Sequence, residues 1–539
     1  MIINIQGFLG ENRQIEPKLL SDGVGVTSLN QKPGRGDLRP WRKPLTVAAV
    51  PAGRKTIFRM GRDVISDSNY WLSWLGVVHA VRGFDARDTS ERTYYTGDGA
   101  PKVTDNTMAL SATPYPSTSR PLGIPAPTAA LTVSNNSNSA ATGANTSNYY
   151  FYTYINDWGW ESGNSPISAL NTRKSDETAV LNGFSSAPAG NYFITGIRIY
   201  KSVSGSSGNA SFFFLRDIAI GITTTIDDNR KLGTTSEIIG WGPPPSDLTF
   251  LTAMWNGMLA GISGNSVRMC ESYVPYAWPD AYEIVPPDAK PIGLGVAGQA
   301  LLVLTTNKPL IVAGSSPDSM DQMPMEEFSQ GCVSARSIVS LGSGVAWASM
   351  DGLCYWDKGA SQILTAGIML REDWLKLKPE TIIGQKYEGA YLGSYDDGSG
   401  SRKAFLIAPG QNSGMYFLSQ GYEAMHFDEL QDQLYALDTT SVKRWDADPT
   451  FMTTTFRSKP YQFSKPMNFG AFKVIASVWP VTLSFYAGSQ LIYSIQVSNS
   501  DAGRLPKGFK SDLWQFEIQT TGAVQSLLVS QSLEELNRA

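Results

Sequence analysis

The sequence predicts an all-β fold: a β-propeller-like body, an inserted β-sandwich and a C-terminal β-sandwich. Three observations predict it. Glycine (51) and proline (31) are plentiful, and both interrupt helices. Aromatic residues make up 11% of the chain, and their rings suit a half-buried pleated surface. Short apolar runs recur between Gly, Asn and Pro turn signals, while the strong helical candidates are confined to residues 372–377 and 532–538.

A chain of 539 residues exceeds one ordinary domain. Hydrophobic residues at 42% against 17% charged supply enough apolar material for real cores. Residues 1–45 read as an extended N-terminal arm, because Gly, Pro and Asn recur there without helical periodicity. Its irregular, polar composition gives it little core of its own. The expected role is contact with a neighbouring subunit, so deleting residues 1–40 is expected to impair assembly more than folding.

The first part of the propeller-like body follows at 46–125, with strand-like runs at 45–50, 55–60, 70–81 and 92–95. Residues 111–127 are proline-rich and read as a linker. The polar tract 133–148 reads as a mobile loop. Beyond it, Tyr149-Tyr150-Phe151-Tyr152-Thr153-Tyr154 is a dense aromatic strand, and Asn156-Asp157-Trp158-Gly159 a turn. Residues 191–201 partly alternate, 204–209 separate them from Phe212-Phe213-Phe214-Leu215, and 223–228 read as a closing strand. Strands at this spacing make a sandwich of fibronectin type III-like order, an insertion over 126–245 that ends at the linker Trp241-Gly242-Pro243-Pro244-Pro245.

The second part of the body spans 246–450. Its segments repeat an apolar strand, a Gly-containing turn and another strand at roughly 40–50-residue intervals, the scale of a propeller blade. The repeat is too degenerate to count blades. Residues 451–539 form a C-terminal β-rich domain, with strands at 470–479, 481–486, 492–497, 513–518 and 524–529.

Composition argues against several functions. Lys and Arg number 44 and Asp and Glu 48, for a formal charge of −4, with no long basic tract. Tight duplex binding rests on many Lys/Arg–phosphate contacts, and the sequence shows no footprint for them. Three cysteines, Cys270, Cys332 and Cys354, make no disulfide framework and sit in apolar contexts. No signal peptide or membrane-spanning run is evident. Two histidines, His79 and His426, leave a Ser-His-Asp triad or His-rich metal site little to work with. No residue is therefore singled out as catalytic, cofactor-binding or metal-ligating, no cofactor is expected, and the chain is read as a non-enzyme.

Four local patterns invite a functional reading and receive a plain one. Ser349-Met350-Asp351-Gly352 before Trp356 resembles a sialidase Asp-box with its glycine one residue early; such a box is a turn in which the Asp caps backbone N–H groups. Asp396-Asp397-Gly398-Ser399-Gly400 lacks the ligand periodicity of a Ca²⁺ loop and reads as a hairpin turn. Arg35-Gly36-Asp37 reads as a coincidental adhesion tripeptide. Trp71, Trp74, Trp158 and Trp160 are expected in core or interface packing rather than sugar stacking.

Two stretches carry a resemblance. One is Glu16-Pro17, Leu19-Leu20, Asn30 and Gly36-Asp37-Leu38-Arg39-Pro40. The other runs from Met254 through Trp255-Asn256-Gly257-Met258-Leu259-Ala260-Gly261-Ile262-Ser263-Gly264 to Cys270-Glu271, Pro275-Tyr276 and Trp278-Pro279, and later to a run from Pro309 to Gly314. Together they resemble the nozzle proteins of short-tailed bacteriophages, tail tubular protein B. The resemblance implies a virion structural protein made in the host bacterial cytoplasm and located in the virion tail. It implies a homohexameric ring below the portal adaptor, contacts with tail fibres or tailspikes, and viral DNA passing non-specifically through the channel. Two other readings stay open: a tail module that binds a receptor or glycan on the host cell surface, and a propeller glycosidase.

Overall fold

The computed structural model describes residues 1–61, 66–85, 87–204, 210–287, 289–358, 360–411 and 413–538. Most of the 204–209 separator therefore lies outside the described residues. The chain is almost entirely β and divides into two compact units. One comprises Met1–Leu75, Ile292–Ile311 and Met323–Ala539; the other comprises Gly76–Pro291 and Val312–Gln322.

In the Gly76–Pro291 unit, two blade-like sheets are simple antiparallel meanders. One runs His79–Arg82, Thr93–Thr96, Lys102–Thr104 and Arg120–Pro121. The other runs Thr249–Ala253, Leu259–Ser263, Ser266–Met269 and Glu283–Ile284. Between them in sequence lies the inserted sandwich. One of its sheets orders Thr132–Asn136, Thr178–Asn182 and Thr224–Asp227; the other orders Tyr150–Asn156, Ile194–Ser204 and Ala210–Ala219.

The aromatic strand explains why the sandwich forms. Alternate side chains of a strand face opposite sides. Tyr150, Tyr152 and Tyr154 point together into a core with Leu181, Ile197, Ile199 and Leu215. Phe151 points the other way, onto Tyr200 and Phe212, with ring centroids 4.9 and 4.7 Å away. The tyrosine core is continuous with Tyr94, Val103, Leu251, Leu259 and Trp278, so sandwich and flanking sheets share one apolar interior.

The polar tract 133–148 is not simply a loop. Thr132–Asn136 pairs with Thr178–Asn182, and Asn145–Asn148 pairs with Asn171–Lys174. These strands are mostly exposed, so they carry backbone ladders without the apolar alternation that marks a strand in sequence.

In the other unit, blade-like meanders run Val339–Ser340, Gly344–Ala348, Leu353–Asp357 and Ala360–Ile363, and then Ile383–Tyr387, Ala390–Asp396, Arg402–Ile407 and Tyr416–Leu418. A further meander, Ala424–Asp428, Gln433–Asp438 and Ser441–Arg444, gains its outer strand from Leu45–Ala49, with Leu45 opposite Arg444. Another four-stranded sheet orders Pro291–Ala297, Ala300–Thr305, Leu310–Ala313 and Asp321–Pro324, with Asp321–Pro324 at an edge; Pro291 and Val312–Gln322 are assigned to the Gly76–Pro291 unit and the rest to this one.

The C-terminal sandwich requires the start of the chain. Ile2–Gln6 pairs along Val524–Ser530. Ile3, Ile5, Phe8 and Leu38 are buried with Phe472, Phe485, Trp514 and Phe516. Thr27–Leu29 lies between two other strands: Leu29 pairs in parallel with Phe417 and antiparallel with Thr455. That three-residue strand joins the Ile383–Leu418 meander to the sheet of Thr454–Arg457, Ser511–Thr520, Val481–Ala487 and Gln490–Val497. Residues 1–45 are thus a staple inside one unit, not the free arm that their composition implies. They belong to the same unit as residues 323–539. The reason is physical: Ile3 and Ile5 alternate as strand residues do, but their partners stand at the opposite end of the chain.

The staple's polar residues are satisfied internally. Gln31, fully buried, donates from Nε2 to Phe8 O at 2.9 Å and accepts from Ser28 Oγ at 2.7 Å. Asn30 donates to Thr453 O at 3.0 Å and accepts from Ser419 N at 2.9 Å. Leaving such buried groups unpaired costs about 1–3 kcal/mol each, so these polar side chains fix the path of the staple rather than leaving it loose.

Candidate functional site

The residues singled out by sequence pattern resolve into structure. Ser349 and Asp351 lie in the turn between Gly344–Ala348 and Leu353–Asp357. The capping group there is Ser349: its Oγ donates to Gly352 O at 3.0 Å and accepts from Asp351 N at 3.1 Å. The Asp351 carboxylate instead accepts from Arg371 Nε at 2.7 Å and Gln330 Nε2 at 3.0 Å. The expected backbone cap by Asp351 is corrected accordingly, although the turn itself is present.

Asp396–Gly400 is the hairpin turn between Ala390–Asp396 and Arg402–Ile407, with Asp396 opposite Arg402. Hydrogen bonds from the Ser399 hydroxyl and amide, with Lys403 Nζ at 3.1 Å, hold the Asp397 carboxyl well below the usual range. In Arg35-Gly36-Asp37, Gly36 O accepts from Phe8 N at 2.9 Å and Asp37 pairs with Arg39 at 2.9 Å. Trp71, Trp74 and Trp160 are buried. Trp158 is half-buried and carries the Arg120 guanidinium 3.6 Å and that of Arg92 4.8 Å from its ring centroid.

The three thiols are buried, and burial pushes each of them up to about 12. A thiol is a nucleophile as its thiolate, so these three pack as small apolar groups. Among the described residues, no cluster of three or more His, Cys, Asp or Glu is placed to hold a metal. No helix among them is long and apolar enough to cross a membrane.

A groove of about 340 Å³ lies in the Met1–Leu75-containing unit. That volume lies at the lower end of ligand clefts. Its first wall is the ribbon following the buried Gln31. Lys32 N donates to Arg39 O at 2.7 Å, and Leu38 and Val524 exchange backbone bonds of 2.8 and 2.9 Å. Trp41 anchors the ribbon: its indole is buried, donates to Gln31 O at 2.9 Å and packs 5.6 Å from Trp445. The other walls are Asp446, Phe451, Ser477, Val478 and the turn Thr521-Gly522-Ala523.

The groove's charges are unevenly satisfied. Lys32 pairs with Asp446, which also accepts from Arg42 N at 2.8 Å. Arg39 is held by both oxygens of Asp37. The exposed Arg42 guanidinium lies 5.2 Å from the Phe451 ring centroid and, among the described residues, has no carboxylate partner. Beside it, Phe451 and Val478 are 39% and 49% exposed. The groove can therefore take one carboxylate through a planar guanidinium fork, next to an apolar side chain. Sequence reasoning located Arg39 and Pro40 through the Gly36–Pro40 element but missed Arg42, Phe451 and Val478. No sequence signal connects three segments this far apart.

No protein-family model and no curated protein matches this chain. Solved structures similar to it include the extracellular domain of a hybrid two-component system from B. thetaiotaomicron, at 9% identity and a TM-score of 0.26, over 84% of this chain and 45% of that one. A second structure from B. thetaiotaomicron, described as the extracellular domain of a one-component system, gives 9% and 0.25 over 88% and 50%. YCF48 bound to D1 peptide gives 10% and 0.25 over 61% and 100%. The chain spans about half the length of the two B. thetaiotaomicron domains. At these TM-scores none of the three carries an argument about what this chain does.

Proposed function

We propose that this chain is a structural subunit of a short-tailed phage tail, one of six copies in a nozzle ring around the DNA exit channel. The observation that carries the reading is the resemblance of the Gly36–Pro40 and Met254–Pro279 elements to nozzle proteins, taken with where those residues lie. Leu38 closes the C-terminal core and locks onto Val524, so the first element sits at a structural joint. The second builds the blade-like strands Leu259–Ser263 and Ser266–Met269.

The physical character of the chain supports a mechanical role. Its sheets enclose several aromatic-rich cores, and the staple continues one blade-like sheet into the C-terminal sandwich. A stiff subunit suits a ring whose repeated heterologous contacts must close at a fixed rotation. A formal charge of −4 suits a channel past which DNA moves without being gripped. Portal adaptor and tail fibres are the partners this reading implies.

Mass photometry of the purified chain tests it. The expected species is a ring near six times the 58.6 kDa subunit mass. A particle that stays at the monomer mass at every concentration contradicts the reading. It favours the receptor- or glycan-binding module, which a glycan array on the full chain then examines.

A further inference from the structure

The groove offers one unpaired guanidinium, Arg42, beside two exposed apolar side chains, Phe451 and Val478. Its occupant should present a free carboxylate and an apolar side chain a few ångströms apart on one face. An extended segment with an acid at i and an apolar residue at i+2 does this, because alternate strand residues share a face. The chain itself carries such a segment. Asp321–Pro324 is the edge strand of its sheet, and Asp321 and Met323 both lie exposed on it. Met323 is 66% exposed, and Asp321 has no cationic partner among the described residues.

A comparable acid–apolar spacing, Glu283 and Val285 at the end of the Glu283–Ile284 strand, is already engaged, since Glu283 pairs with Arg268 at 3.4 Å. An exposed thioether also suits an aromatic ring such as Phe451. An exposed edge strand is a known liability for uncontrolled pairing, so a dedicated recipient for it is useful.

We infer that the Arg42–Phe451–Val478 groove of one copy receives the Asp321–Met323 edge strand of a second copy, Asp321 meeting Arg42 and Met323 meeting Phe451. The contact is heterologous, the type that builds rings, and the inference rests on the ring reading above. A nucleic-acid phosphate is the less favoured occupant. Two of the three groove cations are already neutralised by Asp446 and Asp37, whereas phosphate-backbone binding draws on many free cations.

The test uses the full chain in mass photometry and sedimentation velocity, with melting curves to establish that each variant folds. Arg42→Glu and Asp321→Arg should each weaken self-association by about tenfold or more, as expected for a close interfacial charge pair. The double variant Arg42→Glu/Asp321→Arg, with the charges exchanged, should recover to within about threefold of the wild type. A ring insensitive to both single changes, or folded singles that the double variant does not rescue, overturns the inference while leaving the ring reading intact. A wild-type chain that never self-associates overturns both. A short DNA duplex is the second probe: binding of it that is lost in Arg42→Glu, with self-association unchanged, assigns the groove to phosphate and also overturns the inference.

Discussion

Residues 1–45 and the inserted sandwich draw on the same vocabulary of Gly, Asn, Ser and isolated apolar residues, yet they are ordered by opposite means. The sandwich joins strands close in sequence: Tyr150–Asn156 pairs with Ile194–Ser204, which pairs with Ala210–Ala219. The N-terminal segment makes only isolated bridges within itself, Glu11 with Gly25 and Gln31 with Pro40, and its strands pair with distant ones. Its partners are Val524–Ser530, Thr454–Arg457, Phe417 and Ser441–Arg444. Local pairing leaves a periodic signature that can be read along the chain, whereas a staple leaves only its own two or three alternating residues. A segment's polarity is therefore a poor guide to whether it is structural. In the staple the polar residues are themselves the locks, as Gln31 and Asn30 demonstrate.

The contrast can be broken most severely by truncation. Deleting residues 1–40 removes Ile3, Ile5, Phe8 and Leu38 from the C-terminal core and one strand from each face of that sandwich. Soluble, cooperatively melting protein is expected to disappear, which soluble yield and circular dichroism check directly. A truncated chain that melts like the full one restores the free-arm reading.

Next in size is a charge change inside the inserted sandwich. Asp227, fully buried, accepts from Arg173 Nη2 at 2.6 Å, Lys201 Nζ at 2.7 Å and Tyr150 Oη at 2.7 Å. Asp227→Asn leaves Arg173 and Lys201 facing each other without a counter-charge. A loss of about 3–5 kcal/mol is expected, as for other buried pairs deprived of one partner, and urea denaturation measures it.

A single staple side chain ranks third. Leu38 is fully buried, and Leu38→Ala should cost about 2–5 kcal/mol, while Ile5→Val should cost about 0.5–1.5 kcal/mol. Thermal melts of both variants sharpen the comparison, because a free arm would show neither loss.

Acidification gives the smallest effect, with opposite signs in the two regions. Burial raises the Asp227 carboxyl, but the Lys201 and Tyr150 hydrogen bonds and the Lys201 charge outweigh it and hold the group below its ordinary 3.8. Its contribution is therefore present above pH 3.8 and is lost as pH falls through the lower folded value. Burial raises Glu11 above its ordinary 4.5 despite Arg13 and the Ser28 amide. Its contribution is full below pH 4.5 and is lost as pH rises through the higher folded value. Asp227→Asn should flatten the acid limb of the stability–pH curve, and Glu11→Gln the limb above pH 4.5.

Much of the fold was legible in the sequence. The aromatic run Tyr149–Tyr154, the Gly-punctuated strand pairs such as 344–356, and the C-terminal strands all carry local alternation. The Asp396–Gly400 turn and the burial of Trp71, Trp74 and Trp160 were legible for the same local reason. The strands Thr132–Asn136 and Asn145–Asn148 were not, because their exposed side chains carry no apolar period. The run read at 70–81 splits into Trp71–Trp74 and His79–Arg82, which fall in different units, because Leu75-Gly76 interrupts it without a strong turn signature. Of the groove only the Gly36–Pro40 wall showed in advance. Its specificity depends on Arg42, Phe451 and Val478 meeting across three segments, which tertiary structure alone brings together.

Amide hydrogen exchange of the full-length chain tests the staple most directly. Backbone groups in a buried ladder exchange only through large-scale opening. Residues 2–6 and 27–29 should therefore exchange as slowly as their partners at 524–530 and 454–457. Exchange of residues 2–6 within seconds, with 524–530 still protected, would contradict the account.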